Sequence, residues 1–279
     1  MTSSDEVSLI TVSYNSARAL ERFWAGQQFV PYRWTVVDNN SSDDSREVAG
    51  RLGAEVVELG SNRGFSAANN VGASVTDSEV LIFCNPDVTV TPDGIATLAD
   101  QVRRHGGIVA PQLVNADGSP QENGRGTPYP TRKLRHLMRL RDDRYLRFAS
   151  PGELIEVVWV MGAALAITRA DFDALGGWDS GFFVYYEDAD LGLRAREHGM
   201  SVRVDGDVRW RHGWGRETGR GFSAQAWKLE LSSARRFYRK HPYCVVPLPG
   251  VMARQVRGID SGRSASASAA TGMRVRDAR

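Results

Sequence analysis

Apolar residues along the first third of the chain fall in short runs that alternate with segments of helical period. Val7 to Tyr14 is a run of strand length, and Ala17 to Phe29 follows with Leu20, Phe23 and Trp24 at helical spacing before Pro31. Trp34 to Val37 predicts a second strand, which runs into the polar stretch Asp38-Asn39-Asn40-Ser41-Ser42. Asp43 to Leu52 reads as a helix and Ala54 to Leu59 as a strand, and the small-residue segment Phe65 to Ser74 reads as a helix ahead of the strand Val80 to Cys84. Pro92 to His105 is a helix opened by Thr91 as N-cap, with Pro92 at the first helical position. Alternation at this spacing predicts an α/β fold with a parallel sheet and helices on both faces.

The order loosens past residue 110. Asn115-Ala116-Asp117-Gly118 marks a hairpin turn within Pro111 to Gln121, and Asn123 to Pro130 carries enough Gly and Pro to be a loop. Val157 to Thr168 resumes strand character and Arg169 to Leu175 predicts a short helix. Ala189 to His198 is a helix preceded by Glu187-Asp188, and a last helix runs from about Phe222 to His241. Beyond Gly258 the residues are Ser, Ala, Gly and Arg, which predicts disorder because they cannot pack a core.

With 279 residues, 42% of them hydrophobic, the chain can bury the core of one large α/β domain with an appended tail. The net charge of +2 conceals a basic segment at 132–147, with seven Lys or Arg against two Asp and with Leu134, Leu137, Met138 and Leu140 interleaved. That segment reads either as a solvated loop and helix or as an amphipathic contact for an anionic membrane or a lipid-diphosphate acceptor. No recognised nucleic-acid module accompanies the charge, so no nucleic-acid partner is expected. Cys84 and Cys244 are the sole cysteines, which argues against a disulfide framework and for a reducing compartment. The polar start Met1 to Glu6 lacks a leader pattern, and no apolar run reaches the roughly 18 residues of a spanning helix. The expected location is therefore cytoplasmic, with any membrane association peripheral, at the inner face of the plasma membrane.

In open α/β sheets ligands sit outside the carboxyl ends of the strands. Three polar clusters occupy such places: Tyr14-Asn15-Ser16, Asp38 to Ser42, and Asn85-Pro86-Asp87. A carboxylate fixed at Asp38 can accept the imide N–H of uracil or thymine, or can equally cap the turn. Asn15 and Ser16 suit nucleotide contacts or turn roles. Asp87 suits a hard cation, which needs one or two protein carboxylates plus substrate phosphate oxygens, and an ordinary turn role is the alternative. Glu187-Asp188 follows the bulky run Phe182-Phe183-Val184-Tyr185-Tyr186, which can exclude water and raise a carboxyl pKa as a general base requires. The competing explanation is acidic complementation of a helix start. His212, beyond a short strand and beside Gly213, is a candidate metal ligand, although a lone His is more often structural.

Five segments now stand in order: VSYN at 12–15, VVDNNSSDDS at 36–45, NRGFSAANNVG at 62–72, FCNPDV at 83–88, and MGAALAITRADFDALGGWDSGFFVYYEDADLGLRARE at 161–197. Together they resemble the family 2 glycosyltransferases, particularly the bacterial branch with rhamnosyltransferases and galactofuranosyltransferases, over residues 8 to about 242. The resemblance implies a GT-A fold, with a Rossmann-like, mostly parallel central sheet flanked by helices and a small acceptor-side subdomain. It implies a catalytic domain at 1–242, with a nucleotide-binding half at about 7–110 and an acceptor half at about 111–242, and an extension at 243–279.

By the same resemblance Asp38 binds the donor base and Asp188 of the ED motif is the catalytic base. Asp87 closes a shortened DxD motif, with Asn85 in place of the first Asp, and holds a divalent cation, Mg²⁺ or Mn²⁺, together with His212. Tyr14, Asn15, Asn40, Arg63, Asn69, Asn85 and Pro86 join the donor side, and Trp178, Asp179 and Glu187 the acceptor side. The implied reaction is inverting, metal-assisted in-line transfer of a sugar from a nucleoside-diphosphate donor. L-rhamnose from dTDP-rhamnose is the first expectation and a UDP-hexose the second, and the acceptor hydroxyl lies on a glycan, a glycolipid or a polyprenyl-diphosphate sugar. A nucleotidyltransferase and a non-catalytic sugar-binding protein are the alternatives. G-x-G-x-x-G after the first strand and G-x-x-x-x-G-K-[ST] are both absent, which disfavours a dehydrogenase and a P-loop enzyme.

Overall fold

Three strands buried along most of their length, β1 (Val7–Ser13), β2 (Arg33–Asp38) and β4 (Val80–Cys84), and a more exposed edge strand, β3 (Glu55–Glu58), form one half of the central sheet. They lie in the order β3-β2-β1-β4, and each neighbouring pair is parallel. The continuous apolar run of β4 and the burial of β1 on both its faces, small Ser and Thr included, are what a central strand covered on both sides demands. The computed structural model describes residues 6–27, 32–132, 138, 145–213 and 224–245. Most of the basic segment at 132–147 and the whole tail beyond 258 lie outside the described residues.

Helices α1 (Ala17–Trp24), α2 (Ser45–Arg51) and α3 (Phe65–Ser74) alternate with these strands, and α4 (Pro92–His105) follows β4 and the short β5 (Val88–Thr89). Helix α1 ends at Trp24, earlier than its apolar period predicts, because the chain turns at Gly26 with φ 75°. Helix α4 starts as expected: the Thr91 side chain accepts the Gly94 N–H at 3.2 Å. It ends at Gly106, whose φ of 62° suits glycine.

The second half is less regular. Strands β6 (Ile108–Val114), β11 (Ala164–Thr168) and β12 (Val202–His212) extend the sheet as β4-β11-β6-β12-β5, and β9 (Leu154–Glu156) pairs with β12. A small second sheet joins β7 (Gly124–Arg125), β8 (Leu146–Arg147) and β10 (Trp159–Val160). The hairpin turn is present, with Gly118 N–H donating to Asn115 O at 3.0 Å. The single strand expected over Val157 to Thr168 is instead two, β10 and β11, in different sheets, with Gly162 between them. Strand β11 is antiparallel to both its neighbours, so the sheet is mixed and not wholly parallel.

Helix α5 (Arg169–Ala174) follows β11, α6 (Glu187–Glu197) precedes β12, and α7 (Ala224–Lys240) is followed by a 3₁₀ turn at Pro242–Cys244. Helix α6 starts at Glu187, ahead of the expected Ala189, so both carboxylates belong to its first turn.

One face of the sheet packs Leu20, Trp24 and Trp34, the two indoles stacked at 4.3 Å. The opposite face packs Phe83, Phe172 and Trp178. Because β1, β2, β4, β6 and β12 share one direction, their carboxyl ends lie along one edge, and antiparallel β11 brings its amino end to that same edge. No helix among the described residues is long and apolar enough to cross a membrane.

Candidate functional site

At the carboxyl end of β2, Asp38 is 1% exposed. Its Oδ2 accepts the Ser41 N–H at 2.9 Å, while Oδ1 is buried with no hydrogen-bond partner. A buried carboxylate oxygen left unmatched is costly, and a ligand N–H is the natural complement. The neighbouring loop is built from short polar side chains. Asn15 has φ 51° and its Oδ1 accepts from Ser42 N–H at 2.8 Å, while its own N–H donates to Ser41 Oγ at 2.9 Å. Asn40 has φ 67° and is exposed, as are Tyr14 and Arg63. Asn39 accepts the Arg63 N–H at 2.8 Å and donates to Asn62 at 2.9 Å, fastening the β2 loop to the approach to α3. Asn69 is turned into its own helix, donating to Phe65 O at 3.1 Å, and is 1% exposed.

Beyond β4, Asn85 N–H donates to Ala163 O at 2.8 Å and Pro86 O accepts from the Trp24 indole at 3.0 Å. These bonds hold the triplet so that Asp87 Oδ1 lies 3.4 Å from His212 Nε2. Gly213 N–H donates to Asp87 O at 2.7 Å, and a Cβ at Gly213 would come 2.5 Å from Phe23 Cζ, so this close approach needs glycine. His212 is the last residue of the long strand β12, where the sequence places it beyond a short one.

Gln121 sets the histidine ring. Its amide nitrogen donates to Asn115 Oδ1 and to His212 O, both at 2.9 Å, which fixes Oε1 as the acceptor facing His212 Nδ1, also at 2.9 Å. Nδ1 therefore carries a proton and Nε2 is the nitrogen directed at Asp87. One carboxylate oxygen and one imidazole nitrogen across 3.4 Å suit a shared divalent cation. Among the described residues no group of three His, Cys, Asp or Glu stands together, so the donor set fits a cation whose remaining positions fall to water and phosphate oxygens.

Asp188 is half-buried. Its Oδ2 accepts the Gly162 N–H at 3.1 Å and its Oδ1 the Ala189 N–H at 2.8 Å. Gly162 neighbours Ala163, which holds Asn85, so this carboxylate is tied to the same edge as Asp87. Glu187 is 7% exposed, and its Oε2 has no hydrogen-bond partner. Burial, reinforced by the Asp188 charge, pushes the Glu187 carboxyl well up. Burial also raises Asp188, opposed by the Gly162 and Ala189 N–H groups and by the Arg125 charge. Asp188 has two N–H donors for its charged form and Glu187 only its own backbone N–H, and the two carboxyls, both raised, titrate as one interacting pair. Tyr185 and Tyr186, with φ of 72° and 70°, are left-handed residues of the kind that cluster at functional sites. Their loop is stapled to α3, where Phe65 N–H donates to Phe183 O at 2.8 Å.

One acceptor-side expectation needs correction. Trp178 is 1% exposed, and its ring packs edge-on against Phe65 and Phe83 at 5.5 and 5.4 Å. It is a core residue that presents no face to an acceptor, because Asn70 clamps its backbone through bonds of 2.9 and 2.8 Å. Asp179 is held by Arg236 at 2.9 Å and Lys240 at 2.7 Å, so its charge is engaged in anchoring the last helix.

Gln121 and Arg125 carry no sequence signal of their own, since a glutamine after a hairpin and an arginine in a glycine-rich loop look ordinary. Asp190 was likewise hidden within the acidic cluster. It is fully buried and bonded to Arg194 and Lys240 at 2.7 Å and His241 at 2.8 Å, which ties α7 to α6.

Residues 8–159 match the family described as Glycosyl transferase family 2. The Low-salt glycan biosynthesis hexosyltransferase Agl10 of Haloferax volcanii is 26% identical over 206 residues, covering 71% of this chain and 64% of that protein. The N-acetylglucosaminyl-diphospho-decaprenol L-rhamnosyltransferase of Mycobacterium tuberculosis is 28% identical over 232 residues, covering 72% of this chain and 74% of the relative. Among solved structures, GalNAc-T7 with UDP, GalNAc and Mn²⁺ superposes with TM-score 0.62 at 19% identity, covering 91% of this chain and 54% of that one. TarS 1–349 of S. aureus with UDP-GlcNAc gives TM-score 0.57 at 16% identity, covering 90% of this chain and 69% of that one. At these identities the structural likeness establishes the GT-A fold.

Proposed function

The chain belongs to glycosyl transferase family 2, and from that premise we propose that it is an inverting hexosyltransferase acting on a nucleoside-diphosphate sugar. L-rhamnose from a dTDP donor is the preferred substrate reading, supported by the named activity of the mycobacterial relative. That relative's name also supports a lipid-linked diphosphate sugar as acceptor. The observation that carries the proposal is the approach of Asp87 to His212 at 3.4 Å, on the sheet edge that also bears the unmatched Asp38 oxygen.

In this reading Asp38 Oδ1 accepts the imide N–H of the donor base, and Asp87 with His212 would hold the divalent cation. A cation bound there would supply charge neutralisation for the departing diphosphate. Asp188 takes the proton from the acceptor hydroxyl, opposite the leaving group, its charge sustained by the Gly162 and Ala189 N–H groups. Glu187, raised by burial and by the Asp188 charge, would when protonated donate a hydrogen bond to the acceptor. The half of the chain up to about residue 110 then serves the nucleotide, and the half from 111 to 242 serves the acceptor.

Replacing Asp188 with Asn is expected to lower transfer by about 10²–10⁴-fold. Donor binding, read by thermal shift over a panel of UDP- and dTDP-sugars with and without Mn²⁺, should stay as in the parent. Retained turnover would remove Asp188 as the base. Release of pyrophosphate from a triphosphate in place of sugar transfer would overturn the reaction class.

A further inference from the structure

Outside the edge just described, a cleft of about 690 Å³ opens between the loop from Asp179 to Phe183 and helix α7. Its cationic wall consists of Arg235, Arg236, Arg239 and Lys240, which pair off at helical i, i+4 spacing, and Phe183 contributes an apolar surface. The sole carboxylate lining it is Asp179, already shared between Arg236 and Lys240. Arg235 and Arg239 make no ion pair among the described residues. The cleft therefore carries an excess of positive charge that its own acid does not balance.

The cleft is also built, not merely decorated. The Arg236 guanidinium lies against Gly181 so closely that an added Cβ there would meet it at 2.0 Å, and it stacks over the Phe182 ring at 5.3 Å. Helix α7 is held in place by Ser233, whose hydroxyl donates to Val184 O at 2.8 Å, and by Lys240 and His241 on buried Asp190. The loop that forms the opposite wall runs directly into Glu187 and Asp188. A group seated in this cleft thus lies against the loop that leads into the base.

We propose that this cleft binds the diphosphate group of the acceptor, with Arg235 and Arg239 as its principal cationic contacts and Phe183 against the adjoining apolar part. Guanidinium groups suit this task because their fixed fork matches phosphate oxygens. A solvated helix face would show the same charges, but it would have no facing wall and no reason for Arg236 to pack on Gly181. The inference rests on the acceptor class given above, yet it concerns binding alone and is tested without turnover.

The test uses the full chain in EDTA with no donor. Farnesyl diphosphate, inorganic pyrophosphate, farnesol and phosphatidylglycerol vesicles are titrated separately by calorimetry or sedimentation. The parent should bind both diphosphates and not farnesol. Arg235→Gln with Arg239→Gln should weaken both by about 10-fold or more, since each lost contact is a hydrogen bond to a charged group. A charge-matched control, Arg51→Gln with Arg104→Gln on exposed helix surfaces, should change binding by less than about twofold. Equal loss in the control, absence of diphosphate binding, or a loss confined to the vesicles would each overturn the site. Loss of transfer in Asp188→Asn with diphosphate binding intact would leave this inference standing, and the reverse pattern would strike it alone.

Discussion

The loops around Asp38 and the helices around Asp188 solve the same problem, fixing a carboxylate at a sheet edge, by different means. Asp38 is placed by a strand end and by the Ser41 N–H, in a loop that Asn15 fastens through Ser42 and Asn39 through Arg63, all within one or two local βα units. Asp188 is placed by segments brought from many places: Gly162 between two sheets, the Phe183 staple to α3, and α7 anchored on Asp190. The first arrangement is held mainly by hydrogen bonds from nearby backbone and short polar side chains, and the second is anchored through a buried cluster of ion pairs. Stability of the acceptor half should therefore respond far more strongly to single substitutions and to pH.

Asp190→Asn is expected to give the largest effect, about 3–5 kcal/mol of stability, because it leaves Arg194, Lys240 and His241 facing an uncharged group in a buried setting. Burial opposes ionisation of Asp190, but His241, Arg194 and Lys240 outweigh it and hold its carboxyl down at about 2. Burial likewise opposes the charged His241 ring, but Asp190 and Glu197 outweigh it and raise its pKa above the ordinary 6.5. The Asp190 contribution is thus present above the ordinary carboxyl range and lost as pH falls toward 2. The His241 contribution is complete below 6.5 and lost as pH rises through its elevated folded value. Thermal unfolding from pH 5 to 9 should show the parent weakening on the alkaline side and His241→Gln losing that slope. A flat parent profile would contradict the buried pair.

On the donor side, Asp38→Asn should cost about 1.5–3 kcal/mol of UDP or dTDP affinity by calorimetry, with little change in folding. Unchanged affinity would return Asp38 to a turn-capping role. Gln121→Ala frees the His212 ring and should weaken Mn²⁺ binding by about 10–100-fold, read by electron paramagnetic resonance of free Mn²⁺. Unaltered Mn²⁺ affinity would detach His212 from the cation. The smallest effect belongs to the most local feature: Thr91→Ala removes one helix cap and should cost about 1 kcal/mol in urea unfolding, with donor binding intact. A loss as large as that of Asp190→Asn would erase the contrast between the halves.

The βα units were legible because each depends on neighbours in sequence. Phe65–Ser74, Val80–Cys84 and Pro92–His105 have the bounds their apolar period and caps predict. The ends of β2 and β4 followed from that period, and with them the positions of Asp38 and Asp87. Past residue 110 the pattern misled at Val157 to Thr168, where one apolar run supplies strands to two sheets. Period alone cannot tell which sheet a strand will join, because a strand's apolar face satisfies either.

What the chain by itself determined was the inventory: strand ends carrying Asp38 and Asp87, an acidic helix start behind a bulky run, and a histidine beside a glycine. Tertiary structure alone decided their company. Antiparallel β11 turned Gly162 toward Asp188, Gln121 chose the nitrogen of His212 that faces Asp87, and core packing withdrew Trp178 from the surface. Capping and periodicity act between residues a few positions apart and so are written in the order of amino acids. Burial and buried charge pairing act between residues that meet only after the chain has folded.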